Sequence, residues 1–218
     1  MIAPSHISLF WYLLKSVSKG QSVLRALMNR SLSDEIIRRK VVDVGGGRHP
    51  DYFSFLKKEG DVSIEALDAS ISKIDFEKDV LPYPTASVDT VICCNVLEHI
   101  YHYIFLTGEM HRVLKPGGSL IGFVPFLINY HPDPHDYFRY TKESLVRIFG
   151  EAGFSKVAVR EVGAGPILLN FNNIVLSLPI FLRPLLLPFY YWADVIVLAL
   201  RPGLRTRYPM GYIFVAHA

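Results

Sequence analysis

Three carboxylates could hold a charged or hydroxylated ligand: Asp43, Asp68 and Asp79 stand at or near the ends of successive short apolar runs. Around the first, Lys40-Val41-Val42-Asp43-Val44 reads as a short buried strand, and the triplet Gly45-Gly46-Gly47 ends it before Arg48. Glycines there permit positive φ and let a ligand lie against bare backbone. Residues 51–58 follow with helical spacing, so the unit reads as strand, glycine turn, helix. At the carboxyl end of a parallel strand, such a turn is where open α/β sheets bind nucleotides. The run Ser63-Ile64-Glu65-Ala66-Leu67-Asp68 reads as a second strand, its terminal acid about 20 residues past the turn, where a ribose-binding carboxylate belongs. Pro50 occupies the place of the third glycine in the dinucleotide fingerprint, which argues against a nicotinamide-dependent reductase.

The elements that must position these acids are legible in order. Residues 5–30 carry apolar positions at helical spacing, interrupted near Gly20, and residues 1–39 are assigned as N-terminal amphipathic helices. Residues 74–80 read as a short third strand or extended loop stopped by Pro82 and Pro84. Ser87 to Cys94 is the fourth strand, Asn95 to Leu106 a helix, and Gly108 to Lys115 another, closed by Pro116-Gly117-Gly118. Ser119 to Val124 makes a fifth strand. Thr141 caps a helix that ends at Gly153, and Lys156 to Val162 is a sixth strand. Gly211 to Ala216 is the last. The prediction is an α/β, Rossmann-like, seven-stranded and mostly parallel sheet with an antiparallel last strand and helices on both faces. The whole chain, 1–218, forms one domain, with an apolar helical insert over 165–208.

Charge is unevenly spread behind a net of +3. Residues 1–40 carry seven Lys/Arg against two acids and 183–218 four against one, whereas 41–182 carries twelve against seventeen. An acidic centre with basic, apolar ends is a poor footprint for nucleic acid and suits an anionic membrane surface. The only cysteines, Cys93 and Cys94, adjoin inside an apolar run and read as buried small hydrophobes in a reducing compartment. Before the apolar stretch Ile7–Leu14 there is no basic residue, so the layout of a signal peptide is lacking and a cytoplasmic location is expected.

Five segments taken together, VVDVGGG, the acid of EALDAS, FEKDVLPYP, SVDTVICCNVLEHI and HRVLKPGG, resemble the class I S-adenosylmethionine-dependent methyltransferases of the type 11 group. The resemblance runs from about residue 41 to 160 and again over 211–217. It implies S-adenosylmethionine as cofactor and a methyl group as the cargo. The backbone at Gly45, Gly46 and Gly47 would approach the methionine portion, with Asp43 orienting that loop or the ammonium group. Asp68 would accept both ribose hydroxyls. By the resemblance, Asp79 accepts from the adenine amine and the Val80 N–H donates to the ring, while Asn95, Val96 and Leu97 lie where the strand opens towards the sulfonium. Asn95 also reads as a helix cap.

Two stretches bear on the acceptor. In one methyltransferase group, acid-x-x-Glu-His with a distant histidine resembles a magnesium site acting on an RNA 2′-hydroxyl. Here Asn95 replaces the first acid of the pattern ending in Glu98-His99, too few oxygen ligands remain for a hard cation, and no metal is expected. The segment from His131 to Thr141 reads either as a rigid proline loop leading into a helix cap or as the acceptor-side wall. In the second reading His131, His135 and Asp136 are candidate bases, and Arg139 meets an anionic group on the acceptor. The expected reaction is methyl transfer to a small-molecule or lipid- or glycan-linked acceptor. The alternatives are a non-catalytic scaffold of the same fold that docks a membrane or a partner, and an RNA 2′-O-methyltransferase with a metal at Glu98 and His99.

The insert contains Pro166, Pro179, Pro184, Pro188 and Pro202, and its apolar runs are cut by Asn170, Asn172, Asn173, Arg183 and Asp194. No uninterrupted run reaches the 18 or so residues of a spanning helix. Two or three short helices are expected, forming a lid, a homodimer surface, a peripheral membrane contact or a satellite core.

Overall fold

The structure is a computed structural model that describes residues 6–47, 50–68 and 74–218. Arg48 and the last two residues of the EALDAS segment, Ala69 and Ser70, lie outside the described residues. The chain divides into two compact units: a helical unit of residues 6–30, 127–129 and 161–211, and a sheet unit of 31–126, 130–160 and 212–218.

The sheet comprises β1 (Ile36–Val44), β2 (Lys57–Leu67), β3 (Val88–Cys94), β4 (Leu114–Pro125), β5 (Lys156–Val162) and β6 (Gly211–His217), in the order β2-β1-β3-β4-β6-β5. β1 to β4 pair in parallel, with Val42 opposite Val91 and Ile92 opposite Ile121. Val41, Val42, Val44, Val91 and Ile92 are fully buried, as expected of central strands covered on both faces. β6 runs antiparallel: Gly117 N–H donates to Ala218 O at 2.8 Å and Ser155 N–H to His217 O at 2.8 Å, so strand starts meet its end. The pattern is the expected α/β, Rossmann-like one, but the described residues hold six strands rather than seven. Of the two readings of 74–80, strand or extended loop, the structure gives a turn and loop, because Asp75 and Asp79 bond to each other: Asp79 N–H reaches Asp75 O at 2.8 Å and Asp75 N–H reaches Asp79 Oδ2 at 2.9 Å.

Two expected helices also change. Residues 51–58 give only a 3₁₀ turn, Asp51–Ser54, since Lys57 already pairs with Ile36 at the start of β2. After Asn95 comes a 3₁₀ turn, Leu97–His99, and the helix proper waits until Tyr103. With α1 (His6–Ser18) and α2 (Val23–Leu32) preceding it in the chain, that helix is α3 (Tyr103–Val113). α4 (Lys142–Glu151) begins as read, Thr141 Oγ1 accepting from Ser144 N–H at 3.2 Å. The sheet-unit core gathers Phe149, Phe154 and Phe214, with 4.7 Å between the Phe149 and Phe214 centroids. Each such ring contributes about 1.5–3 kcal/mol by leaving water.

The helical unit contains α1, most of α2, α5 (Pro166–Val175), α6 (Leu182–Leu200) and the single turn α7 (Leu204–Arg207). Two of its polar interruptions, Asp194 and Asn172, are capping groups. Asp194, buried on α6, accepts from the N–H groups of Gly165, Ile167 and Leu168 at 2.6, 2.9 and 3.2 Å, supplying the acceptors that the start of α5 lacks. Asn172 Oδ1 does the same for Leu24 N–H at 2.7 Å. Turned inward this way, Asp194 does not break α6, and Pro188 sits inside the helix. Of the two or three short helices expected over 165–208, α5 and α7 are short, whereas α6 is one 19-residue helix, long and apolar enough by length and composition to cross a membrane, with 17% of its apolar window buried.

Candidate active site

The glycine turn is fixed by contacts that no other residue permits. Asp43 is fully buried in β1 and accepts from the Tyr52 hydroxyl at 2.7 Å. Its carboxylate lies against the face of Gly46, where a Cβ would stand 1.6 Å from Oδ2. Gly45 has φ +78, and a Cβ there would meet Val96 Cγ2 at 2.4 Å. Its N–H donates to Leu67 O at 2.8 Å, tying the turn to the end of β2. That tie brings Asp68 alongside: a Cβ at Gly47 would lie 3.9 Å from Asp68 Oδ2. Burial pushes the Asp43 carboxyl up to about 7, while the Tyr52 hydrogen bond pulls the other way.

Beyond this turn opens a cavity of about 840 Å³, within the range of ligand sites. Gly45, Asp68, Asn95 and Val96 line one part; His99, Tyr101, Asp133, His135 and Tyr137 line another. All belong to the sheet unit, at the carboxyl ends of β1, β2 and β3 and in the loop that follows β4. Asn95 has φ +55, a conformation asparagine tolerates better than most residues. Gly47 borders the turn, whereas Gly46 and Leu97 are buried behind it.

Asp79 and Val80 do not line the cavity; Ile74, Asp75, Phe76 and Glu77 do. Val80 is exposed, and Asp79 Oδ2 is bonded to Asp75 N–H. Glu77 was not singled out from sequence. Its two carboxylate oxygens accept from the N–H groups of Tyr101 and His102, both at 2.7 Å, and so close the wall. The signal for it, an acid that caps backbone more than 20 positions away, is invisible to local pattern.

The loop 131–140 is anchored rather than loose. Tyr137 and Phe138 N–H groups donate to Glu98 O at 2.8 and 3.3 Å, and Tyr101 packs on both rings at 5.4 and 5.8 Å. His135 faces the cavity. Asp136 does not: its side chain is buried and takes both arms of the Arg139 guanidinium, with Nη2 donating to Oδ2 at 2.6 Å. Arg139 first, and the His131 N–H besides, hold the Asp136 carboxyl down at about 2. It is thus a poor proton acceptor, and Arg139 is committed to it rather than to an acceptor's anion. His131 Nδ1 lies 3.4 Å from Asp136 Oδ2 and its Nε2 lies 3.7 Å from Glu98 Oε1.

A family model for the methyltransferase domain matches residues 54–122. A probable S-adenosylmethionine-dependent methyltransferase of Mycobacterium tuberculosis is 29% identical over 109 residues, 47% of this chain and 37% of that one. The 2-methyl-6-phytyl-1,4-hydroquinone methyltransferase 1 of Oryza sativa subsp. japonica is 28% identical over 144 residues, 57% of this chain and 43% of its own length. The chain spans less than half the length of the curated relatives it matches, from 20% to 43%. In fold it is similar to a solved S-adenosylmethionine-dependent methyltransferase of Thermotoga maritima, described as a possible histamine N-methyltransferase. The TM-score is 0.54 at 12% identity, covering 97% of this chain and 92% of that one. The glycine turn sealed by Asp43, the acid beside it and the cavity they border fit the cofactor these proteins share. Over residues 54–122 the chain is thus similar to the S-adenosylmethionine-dependent methyltransferases, and it shares their fold.

Proposed function

We propose that the chain transfers a methyl group from S-adenosylmethionine to a small or lipid-linked acceptor held against the loop 131–137. The observation that carries this is the single cavity wall shared by Gly45 and Asp68 on one side and His99 and His135 on the other. When bound, the cofactor supplies an electrophilic methyl on its sulfonium. The residues then have two tasks. Gly45 and Gly47 offer bare backbone, and Asp68 accepts from the ribose hydroxyls. Asp75 and Phe76 take the adenine side in place of Asp79 and Val80. Of the three candidate bases, His135 is the one that lines the cavity, and it removes the acceptor's proton where the acceptor atom is an oxygen. A lipid-like acceptor is supported by the hydroquinone named for the rice relative. The test is calorimetry with S-adenosylmethionine, followed by label transfer from the cofactor into cell extract separated into lipid, glycan, small-molecule and macromolecular pools. Absence of cofactor binding would leave only the scaffold reading.

A peripheral membrane contact by the helical unit is a second proposal, favoured by the outward face of α6. Leu185, Phe189, Trp192, Ile196 and Leu200 follow one another at helical spacing and are exposed. By sequence, this unit carries eight Lys/Arg against two acids, Glu161 and Asp194. Aromatic rings and arginines beside an apolar face suit the headgroup layer. Flotation with anionic and neutral vesicles tests it: lipid-independent behaviour as a monomer refutes membrane contact, and a salt-insensitive homodimer assigns the face to a second copy.

A further inference from the structure

Glu98 is fully buried, and neither of its carboxylate oxygens has a hydrogen-bond partner. A buried carboxylate in that condition lacks the compensation such groups require. What faces it is a pair of imidazoles. His99 Nε2 and His131 Nε2 each stand 3.7 Å from Glu98 Oε1, too long for a hydrogen bond. The three ligand atoms lie within 4.8 Å of one another, and the rings meet edge to face at 5.2 Å.

His99 Nδ1 is 2.5 Å from His135 O, an oxygen that can only accept, so this nitrogen carries a proton and Nε2 is turned to Glu98. His131 Nδ1 is 3.4 Å both from Asp136 Oδ2, which accepts, and from Arg139 Nη2, which donates. A carbonyl behind Nδ1, with Nε2 turned to a point shared with a carboxylate, is the arrangement that orients a histidine towards a metal.

We propose that Glu98, His99 and His131 form a site for one divalent transition-metal ion. Two imidazoles and one carboxylate suit zinc, iron or manganese better than magnesium, and three protein ligands leave at least one coordination position open. Ligand atoms around a tetrahedral zinc are about 3.3 Å apart, given bond lengths near 2.0–2.1 Å; the two carboxylate–imidazole separations are 3.7 Å and all three atoms lie within 4.8 Å, so side-chain rotation must draw them together. Entry is through His131, whose side chain is 38% exposed, while Glu98 forms the floor. Asn95 is not in this set. The third ligand comes from the loop after β4, which is why the pattern around residues 95–99 alone gave no complete site.

His99 also lines the cavity, so an ion here would stand beside the acceptor. Only this use of the ion rests on the methyl-transfer reading: it would polarise an acceptor oxygen and ease loss of its proton. The existence of the site does not depend on it.

The experiment is titration of the untagged, chelator-treated full chain with zinc chloride by calorimetry, and with cobalt(II) read by its visible absorption. One equivalent of zinc and a cobalt spectrum of nitrogen and oxygen ligation are expected. His131→Ala and Glu98→Gln should each weaken zinc by at least about 100-fold and abolish the cobalt bands. Should Glu98→Gln fail to fold, His131→Ala carries the test, because its side chain is partly exposed. S-adenosylmethionine affinity measured on the same samples keeps the two readings apart. It should survive in His131→Ala, and its absence in the wild type would count against the cofactor site alone. No stoichiometric metal in the wild type, or unchanged binding in His131→Ala, overturns the proposal.

Discussion

Gly46→Ala is the sharpest probe of the cofactor turn. The added methyl would stand 1.6 Å from Asp43 Oδ2 and 2.1 Å from its Cγ, about half of a normal carbon–oxygen contact. Asp43 cannot swing aside, being fully buried on a central strand and bonded to Tyr52. The turn must therefore lift, and overpacking of this kind costs about 1–3 kcal/mol. For a chain of this size that corresponds to a fall in Tm of roughly 2–12 °C. The same displacement removes the backbone of Gly45 and Gly47 from the ligand, so affinity for S-adenosylmethionine should drop at least about tenfold. Differential scanning fluorimetry and calorimetry read the two effects. A double-mutant cycle with Asp43→Ala separates the clash from other causes: once the carboxylate is gone, the alanine at 46 should cost much less. If Gly46→Ala binds and melts like wild type, the placement of the carboxylate over the turn is wrong.

Three further outcomes are expected. Asp68→Ala should lose about 2–4 kcal/mol of cofactor binding, roughly 30- to 900-fold in Kd, while its melting temperature holds; unchanged calorimetry would remove Asp68 from the site. Because burial pushes the Asp43 carboxyl from 3.8 up to about 7, folding favours its protonated form. That contribution is complete below 3.8 and is lost as pH rises to about 7, at most roughly 4 kcal/mol. Asp43→Asn has nothing to ionise, so urea denaturation of the ligand-free proteins should show the mutant gaining on wild type between about pH 4 and 7, and a constant difference would contradict the shift. Asp194→Ala leaves three N–H groups at the start of α5 without their acceptor and should cost about 2–4 kcal/mol in urea unfolding, with Asp194→Asn recovering part of it.

Sequence legibility followed the range of the interactions. The glycine turn, Asp68 and the boundaries of β5 were readable because valine runs, glycines and alternation act locally. Thr141 was readable as a cap for the same reason. The segment 74–80 misled, since its aspartates satisfy each other and Glu77 is spent on Tyr101 and His102. α6 was read as broken because Asp194 looks like an interruption until its three acceptor contacts with the α5 start are known. Asp136 resembled a base until Arg139 was seen on it. The meeting of Glu98 with His131, 33 positions apart, rests on the path of the loop after β4 and has no local signature.

The order β2-β1-β3-β4-β6-β5 leaves two strands with an open side, and both are written in charge. β2 carries Lys57, Lys58, Glu59, Asp61 and Glu65, nearly all exposed, and β5 carries Lys156, Arg160 and Glu161. An unpaired strand edge is a template on which another chain can add a strand, and a row of mixed charges makes each such addition strand solvated side chains in the new interface. The parallel centre forms slowly because its pairings are distant in sequence, and its valine-rich strands are vulnerable while they wait. Charged borders work against that hazard: adding a strand at β2 or β5 would have to strip water from these side chains, and no apolar residue of the core is given up to prevent it.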